Sequence, residues 1–285
     1  MDNTSKPAVA IQLSPVTKSF QLEPGKIVED TFTVQNVGAE TFSYKLYASP
    51  YNILDDEYNA DFTSESKFSQ IYHWATFKAT DGTYSDEVVY TIAPGELQEI
   101  TLRLTPPTDL PEGSQHAIIF AESLKRTTSN GVSTVSRVGL NLRGIALGET
   151  HETAAITNWT APSYLASGNI TSSVTIKNTG NVDVATGYDY VIRDQFGNIV
   201  YENNNAYDIF ADTNRRFDFE WEETPLMGIY KIELTIAAAG DTEHFYQTTV
   251  VMPPIVAAIA IGIISFFVVM TMLFIRKRRS RAIVY

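Results

Sequence analysis

The chain has 285 residues, with 21 Lys and Arg against 33 Asp and Glu, a net charge of -12 and no cysteine. A surplus of acid repels nucleic acid and argues against it as a partner. The lack of cysteine excludes the small disulfide-dense modules of animal cell surfaces and fits a bacterial envelope better.

The start, MDNTSKPAVAI, has neither the basic nor the apolar part of a signal peptide. A processed chain from which the signal has been removed is therefore expected, with Met1 an added residue. Ala8 to Leu13 alternates weakly before Ser14-Pro15 interrupts it. Leu22-Glu23-Pro24-Gly25 signals a turn, and Ile27 to Val37 reads as a strand with Phe32 and Val34 on one face. Asn36-Val37-Gly38 turns the chain into a second alternating run at Phe42, Tyr44 and Leu46. Tyr51 to Lys67 reads as a long surface loop, because Asp55, Asp56, Glu57 and Asp61 stand among polar residues with little periodicity. It lacks the ligand spacing and glycine of a calcium loop.

Ile71 to Phe77 reads as an aromatic strand. Within it Trp74 suits either a plug in the core or, with Tyr72 and Tyr51, a stacking platform for a sugar or peptide. Val88–Ile92, Pro94-Gly95-Glu96 and Gln98–Leu104 spell strand, turn and strand. Gln115–Leu124 follows with an apolar centre, and His116 within it reads as an edge or core residue. Ser129-Asn130-Gly131 turns into the last strands, up to Leu147. Many short strands between Pro and Gly turns describe an antiparallel sandwich.

The pattern then repeats. Leu22-(x2)-Gly25 leading to Phe32-Thr33-Val34-Gln35-Asn36-Val37-Gly38 is echoed by Leu165-(x2)-Gly168 leading to Val174-Thr175-Ile176-Lys177-Asn178-Thr179-Gly180. Tyr188–Arg193, Ile199–Tyr201, Phe217–Trp221, Tyr230–Ile236 and Phe245–Val251 continue as strands until Pro253-Pro254. Residues 8–147 and 148–252 are thus expected to form two tandem sandwich domains.

Ile255–Ile275 carries no charge and is followed by Arg276, Lys277, Arg278, Arg279 and Arg281. A helix of that length rises roughly 31 Å, enough for the hydrocarbon core of a bilayer. Residues 253–275 are therefore expected to span a membrane, with 276–285 as a basic cytoplasmic tail and the rest outside. Ala258 and Gly262 make a small-xxx-small pair suited to close helix packing.

No cysteine nucleophile exists, the four histidines lie far apart without a metal-ligand motif, and no serine elbow or phosphate-binding loop appears. No metal, cofactor or catalytic residue is expected, although carboxylates are too numerous for counting to exclude a sugar-cleaving pair.

Several motifs together resemble the WxL-interacting proteins of Gram-positive bacteria. They are Ser14-Pro15, Leu22-(x2)-Gly25, Asn36–Gly38, Ala48-Ser49-Pro50-Tyr51, Trp74-Ala75-Thr76-Phe77 and Ile92-(x)-Pro94-Gly95-Glu96. Pro107, Pro111-(x)-Gly113-(x)-Gln115-His116-Ala117-Ile118 and Arg137-Val138-Gly139 extend the likeness over some 130 residues. The resemblance implies an all-β chain of two immunoglobulin-like sandwiches with a C-terminal transmembrane helix. It also implies a first domain associated with peptidoglycan, a second associated with host matrix proteins, and the holding of secreted WxL-domain proteins at the wall. The alternative is an accessory subunit of a pilus, secretion or transport assembly, held among other membrane subunits by its helix.

Overall fold

The computed structural model describes residues 7–124, 127–129, 132–146, 148–223 and 227–281, with the side chains of 127–129, 132–134, 257 and 277–281 excepted. The expected turn residues Asn130 and Gly131, and Leu147 at the expected domain boundary, lie outside the described residues. Among the described residues, apart from one short 3-10 helix, Gln70–Trp74, and one long C-terminal helix, the regular structure is all β and mostly antiparallel. The chain divides into two units. One comprises Met1–Ala155, Ile176–Ala185 and Asp208–Arg215; the other comprises Ile156–Thr175, Thr186–Tyr207 and Arg216–Tyr285.

The first strands are β1 (Ile11–Ser14), β2 (Thr17–Leu22), β3 (Val28–Asn36), β4 (Phe42–Pro50), β5 (Asn52–Ile53), β6 (Ala60–Asp61) and β7 (Ala75–Lys78). Then come β8 (Tyr84–Ser85), β9 (Glu87–Ile92), β10 (Leu97–Leu104), β11 (Gly113–Ser123), β12 (Thr127–Ser129), β13 (Val132–Thr134) and β14 (Arg137–Ala146). Two five-stranded sheets, β1-β3-β10-β7-β8 and β2-β14-β11-β4-β9, enclose the core. Period two puts Phe32 and Val34 of β3, Ile100 and Leu102 of β10, Tyr44 and Leu46 of β4, and Leu140 and Leu142 of β14 on the inner faces. Burying each such side chain is worth about 1.5–3 kcal/mol. Lys18 of one sheet donates to Asp30 of the other, and the Arg103 guanidinium grips Glu29 at 2.6 Å while lying 3.5 Å from the Tyr84 ring.

Two expectations change here. The segment 51–67 is no open loop: β5 and β6 pair across it, and Asp55 and Asp61 accept hydrogen bonds from the backbone N–H groups that follow them. Ile71–Phe77 is also not all strand, because its first part belongs to the 3-10 helix and only Ala75–Lys78 is extended. Residues three apart share a face in a 3-10 turn, so Ile71 and Trp74 both meet the core before β7 begins.

The internal echo has a physical basis. Asn36 ends β3 with its side chain wholly buried. Its Nδ2 donates to the carbonyls of Glu40 (2.9 Å) and Ile92 (3.3 Å), and its Oδ1 accepts from the Gly38 N–H (2.9 Å). Asn178 repeats this at the end of its own strand. Its Nδ2 donates to Val182 (2.8 Å) and Ile209 (2.9 Å), and its Oδ1 accepts from the Gly180 N–H (2.8 Å). The glycine is dictated by space: a Cβ at Gly38 would meet the Ala10 nitrogen at 2.8 Å, and one at Gly180 the His151 carbonyl oxygen at 2.0 Å.

The remaining strands are β15 (Ala154–Thr160), β16 (Tyr164–Leu165), β17 (Ile170–Asn178), β18 (Val184–Arg193), β19 (Ile199–Ile209), β20 (Asn214–Trp221), β21 (Gly228–Ala238) and β22 (Asp241–Val251). They form a three-stranded sheet, β15-β17-β20, and a five-stranded one, β16-β22-β21-β18-β19. The Tyr190 and Phe219 rings stack at 4.2 Å between them, and burial pushes the Tyr190 hydroxyl up to about 12. The helix α1 (Pro254–Arg281) follows β22 after two residues. Its stretch Pro254–Arg276 has a mean hydropathy of 2.7 and no part of it is buried, consistent with a single membrane-spanning segment.

Replacing Asn36 by Ala orphans the Gly38 N–H and two carbonyls. It should cost about 1–3 kcal/mol or more in a denaturant titration of the detergent-solubilised chain, whereas Gln12→Ala on an exposed position should be near neutral. A second expectation concerns acid. The hydrogen bond from Lys18 holds the Asp30 carboxyl below its ordinary 3.8. Its stabilisation is then full above that value and drains away as pH falls through the lower folded value. Asp30→Asn should flatten the acid limb of the melting curve below about pH 4 and leave its neutral part less stable than wild type.

Candidate binding surface

The first unit gathers aromatic rings around the end of β4 and the centre of β11. β11 is buried on both faces: Ala117, Ile119 and Ala121 point into the core, while Phe120 on the other face lies beneath Phe62. Phe62 meets Phe120 edge-on at 5.3 Å and Tyr51 at 5.3 Å, so the acidic segment closes over the sheet with its own aromatics. Tyr51 and Tyr58 both reach Phe210, at 5.3 and 5.8 Å, and the Phe210 N–H donates to the Tyr58 hydroxyl at 2.6 Å. Burial raises the Tyr58 hydroxyl above its ordinary value and keeps it protonated. The His116 ring stacks on Phe210 at 3.9 Å with 2° between planes, and its Nε2 lies 2.9 Å from Asp183 Oδ1. Its Nδ1 is buried without a hydrogen-bond partner.

The loop is fixed to β11 by Gln115, whose amide accepts from the Gln70 N–H (2.9 Å) and donates to the Lys67 carbonyl (2.8 Å). A cavity of about 260 Å³ opens here, lined by Tyr51, Glu65, Phe68, His116, Phe210 and neighbouring hydroxyl groups. Hydrogen bonds from Tyr72 and His73 lower the Glu65 carboxyl and keep it ionised, and desolvation with Glu65 beside it pushes the Tyr72 hydroxyl up to about 12. An ionised carboxylate among aromatic faces accepts hydrogen bonds and stacks. It does not donate protons as a general acid must.

Tyr51 therefore belongs to the ring cluster, and Tyr72 touches the cavity wall through Glu65. Trp74 is half-buried, packs against the core, and its carbonyl accepts from the Thr105 N–H at 2.9 Å. The structure does not bring Trp74 to the cavity. Phe62, Phe120, Phe210 and Asp183 escaped the sequence reading. Phe62 was recoverable as an aromatic in an otherwise polar loop, but nothing local joins Phe210 to His116. A wider groove of about 710 Å³ runs past Phe20, Ser114, Arg143, Asp183 and Asp208, where the Arg143 guanidinium binds Asp208 at 2.8 Å. On α1, Ala258, Gly262 and Arg276 are exposed, and a Cβ on Gly262 would meet nothing within 4 Å. The side chains of Lys277, Arg278, Arg279 and Arg281 lie outside the described residues. Among the described residues no group of three His, Asp or Glu side chains is placed to hold a metal.

No family model matches the chain, and neither does any curated protein. Solved structures similar to it include the class 5 fimbriae chaperone CfaA, at 16% identity over 84% of this chain and 99% of that one, with a TM-score of 0.41. Others are the chaperone and tip-adhesion subunit pre-assembly complex of the archaic Csu pili of Acinetobacter baumannii (13% identity, 84% and 99% covered, TM-score 0.39) and a chaperone from Pseudomonas aeruginosa (10%, 83% and 99%, 0.38). At these scores the likeness is one of all-β architecture and carries no functional weight. The expected membership in the WxL-interacting family is withdrawn: no family model matches the chain, and these neighbours are pilus chaperones. The expected binding of peptidoglycan and WxL-domain proteins falls with it. The physical reason is plain in the motifs themselves. Gly25 and Gly95 sit at φ +68° and +77° in tight turns, and Asn36 is a buried clamp, so the matching residues report what a sandwich needs to turn its chain.

His116→Phe keeps the stack on Phe210 and removes the bond to Asp183. In a double-mutant cycle with Asp183→Ala, chemical denaturation should return a coupling of about 1–3 kcal/mol, and additivity would show that the pair does not contribute.

Proposed function

We propose that this chain is a non-catalytic accessory subunit of a larger envelope assembly. In this reading two tandem immunoglobulin-like sandwiches, residues 8–147 and 148–252, stand outside the membrane. α1 holds them there, and its basic end from Arg276 onward lies on the cytoplasmic side. The observation that carries the reading is α1 itself: a long apolar helix with none of its described residues buried, joined to a β-sheet by two residues. Such a helix needs lipid or other helices around it, and Ala258 with Gly262 offers a surface for close approach by another subunit.

The open edge of the five-stranded sheet supports the same reading. β19 runs for 11 residues at that edge, is largely exposed, and contains no Pro or Lys to discourage pairing. Long exposed edges are ready templates for a strand from another chain. A depression of about 410 Å³ lined by Tyr188, Asn205, Ala206 and Ala237 lies on the sheet face that β19 shares with β18 and β21.

A photo-crosslinking residue placed at Ala206 in intact cells should yield a discrete adduct with an envelope protein, and one at Asp81 should not. Migration of the solubilised protein as a lone chain, with no adduct from Ala206, would count against the proposal.

A further inference from the structure

Large apolar side chains are exposed at one end of the second unit's five-stranded sheet. Phe196 is 80% exposed, and Met227, Ile229 and Tyr164 are about half exposed. Strand register brings them to one level. Ile229 faces Val250 and Gly228 faces Val251, while Tyr164 of β16 also pairs with Val250. The last β18–β21 pair is Arg193 with Lys231, so the turn at 194–198 carries Phe196 beyond the level of Lys231 at this end of the sheet. The opposite tip of the β21–β22 hairpin, from Ala238 to Thr242, bears no large apolar side chain.

This end is also where α1 leaves the sheet. Met252 is still fixed to it: its N–H donates to the Leu165 carbonyl at 2.9 Å and its carbonyl accepts from the Tyr164 hydroxyl at 2.7 Å. The helix starts at Pro254, two residues on, so the sheet end lies within about 8 Å of it, since consecutive Cα atoms are about 3.8 Å apart. The apolar stretch of 23 residues rises about 35 Å, about one helical turn more than a hydrocarbon core of about 30 Å.

We propose that Tyr164, Phe196, Met227 and Ile229 form a rim seated in the interfacial layer of the bilayer that α1 spans. This rests on reading α1 as a membrane span and is independent of any partner at β19. Aromatic and long apolar side chains gain by leaving water at that depth. One row above, Arg193 and Lys231, both bound to Glu233 at 3.0 and 2.8 Å, stand at the height of lipid phosphates. Asp194, two residues before Phe196, is engaged by the backbone N–H groups of Phe196 and Asn198 within the turn. The rim makes the sheet a second, superficial contact with the membrane and so fixes its tilt.

The cysteine-free chain permits a direct test. Nitroxide labels are placed singly at F196C, M227C, T242C and S265C in the full chain, reconstituted in vesicles of phosphatidylcholine and phosphatidylglycerol. Collision rates are read with oxygen, which concentrates in lipid, and with a nickel chelate, which stays in water. Thr242 lies about 27–31 Å along the strand from the rim, and Ser265 lies within α1. The expected result is an oxygen-to-nickel ratio at 196 and 227 severalfold above that at 242, with the highest ratio at 265. Water-like behaviour at 265 would overturn the span itself. A lipid signature at 265 with either rim site matching 242 would overturn the rim and leave the span standing.

Discussion

The buried asparagine at the end of a strand is the constraint on which both halves of this chain turn. Asn36 and Asn178 each take a donor-rich amide out of water, which is unfavourable unless every polar atom finds a partner. Each finds its partners in a glycine N–H two residues on, a carbonyl four residues on, and the end of another strand, at Ile92 or Ile209. A slip of one residue would turn the amide to the other face and leave it unpaired as well as exposing the apolar row behind it. The clamp therefore selects register more than it adds stability.

The acidic character has a similarly local explanation. Asp55, Asp61, Asp81 and Asp194 all bind hydroxyls, side-chain amides or N–H groups within four residues of themselves, and those bonds pull each carboxyl below its ordinary value. Much of the negative charge in the loops is thus committed to shaping turns. Lys18–Asp30 and Arg103–Glu29 use further carboxylates to join strands of the first unit. The aromatic cluster does in packing what these carboxylates do in turns: Phe62 and Tyr51 bring an otherwise polar segment down onto β11.

What the sequence revealed follows from the range of the forces involved. Alternation at Phe32 and Val34, or from Tyr230 through Ile232 and Leu234 to Ile236, is a period-two signal that needs only neighbouring residues, and it translated directly into inner faces. The Asn-x-Gly echo was visible because the clamp is built from residues two and four apart. Ile71 to Phe77 misled because a short apolar aromatic run fits a strand or a 3-10 turn equally, and the spacing of three between Ile71 and Trp74 decides it only once the core is known. The stack of His116 on Phe210 joins positions far apart in the chain, so no local pattern announces it. The family likeness failed for a related reason. Turn glycines, prolines and clamp residues are shared by sandwiches with different partners, and binding is decided by exposed side chains that such motifs do not include.

The junction at Met252 has a mechanical consequence. Any load passed between α1 and the sheet enters at the C-terminal end of β22, which is flanked by β21 and β16. β22 is paired with β21 without interruption from Asp241 opposite Ala238 to Val251 opposite Gly228. A pull along the strand must shear that ladder as a whole, with its hydrogen bonds strained in parallel, instead of peeling them off one at a time. The sheet next to the helix is thus better able to resist a pull along β22 than one that lifts the strand away.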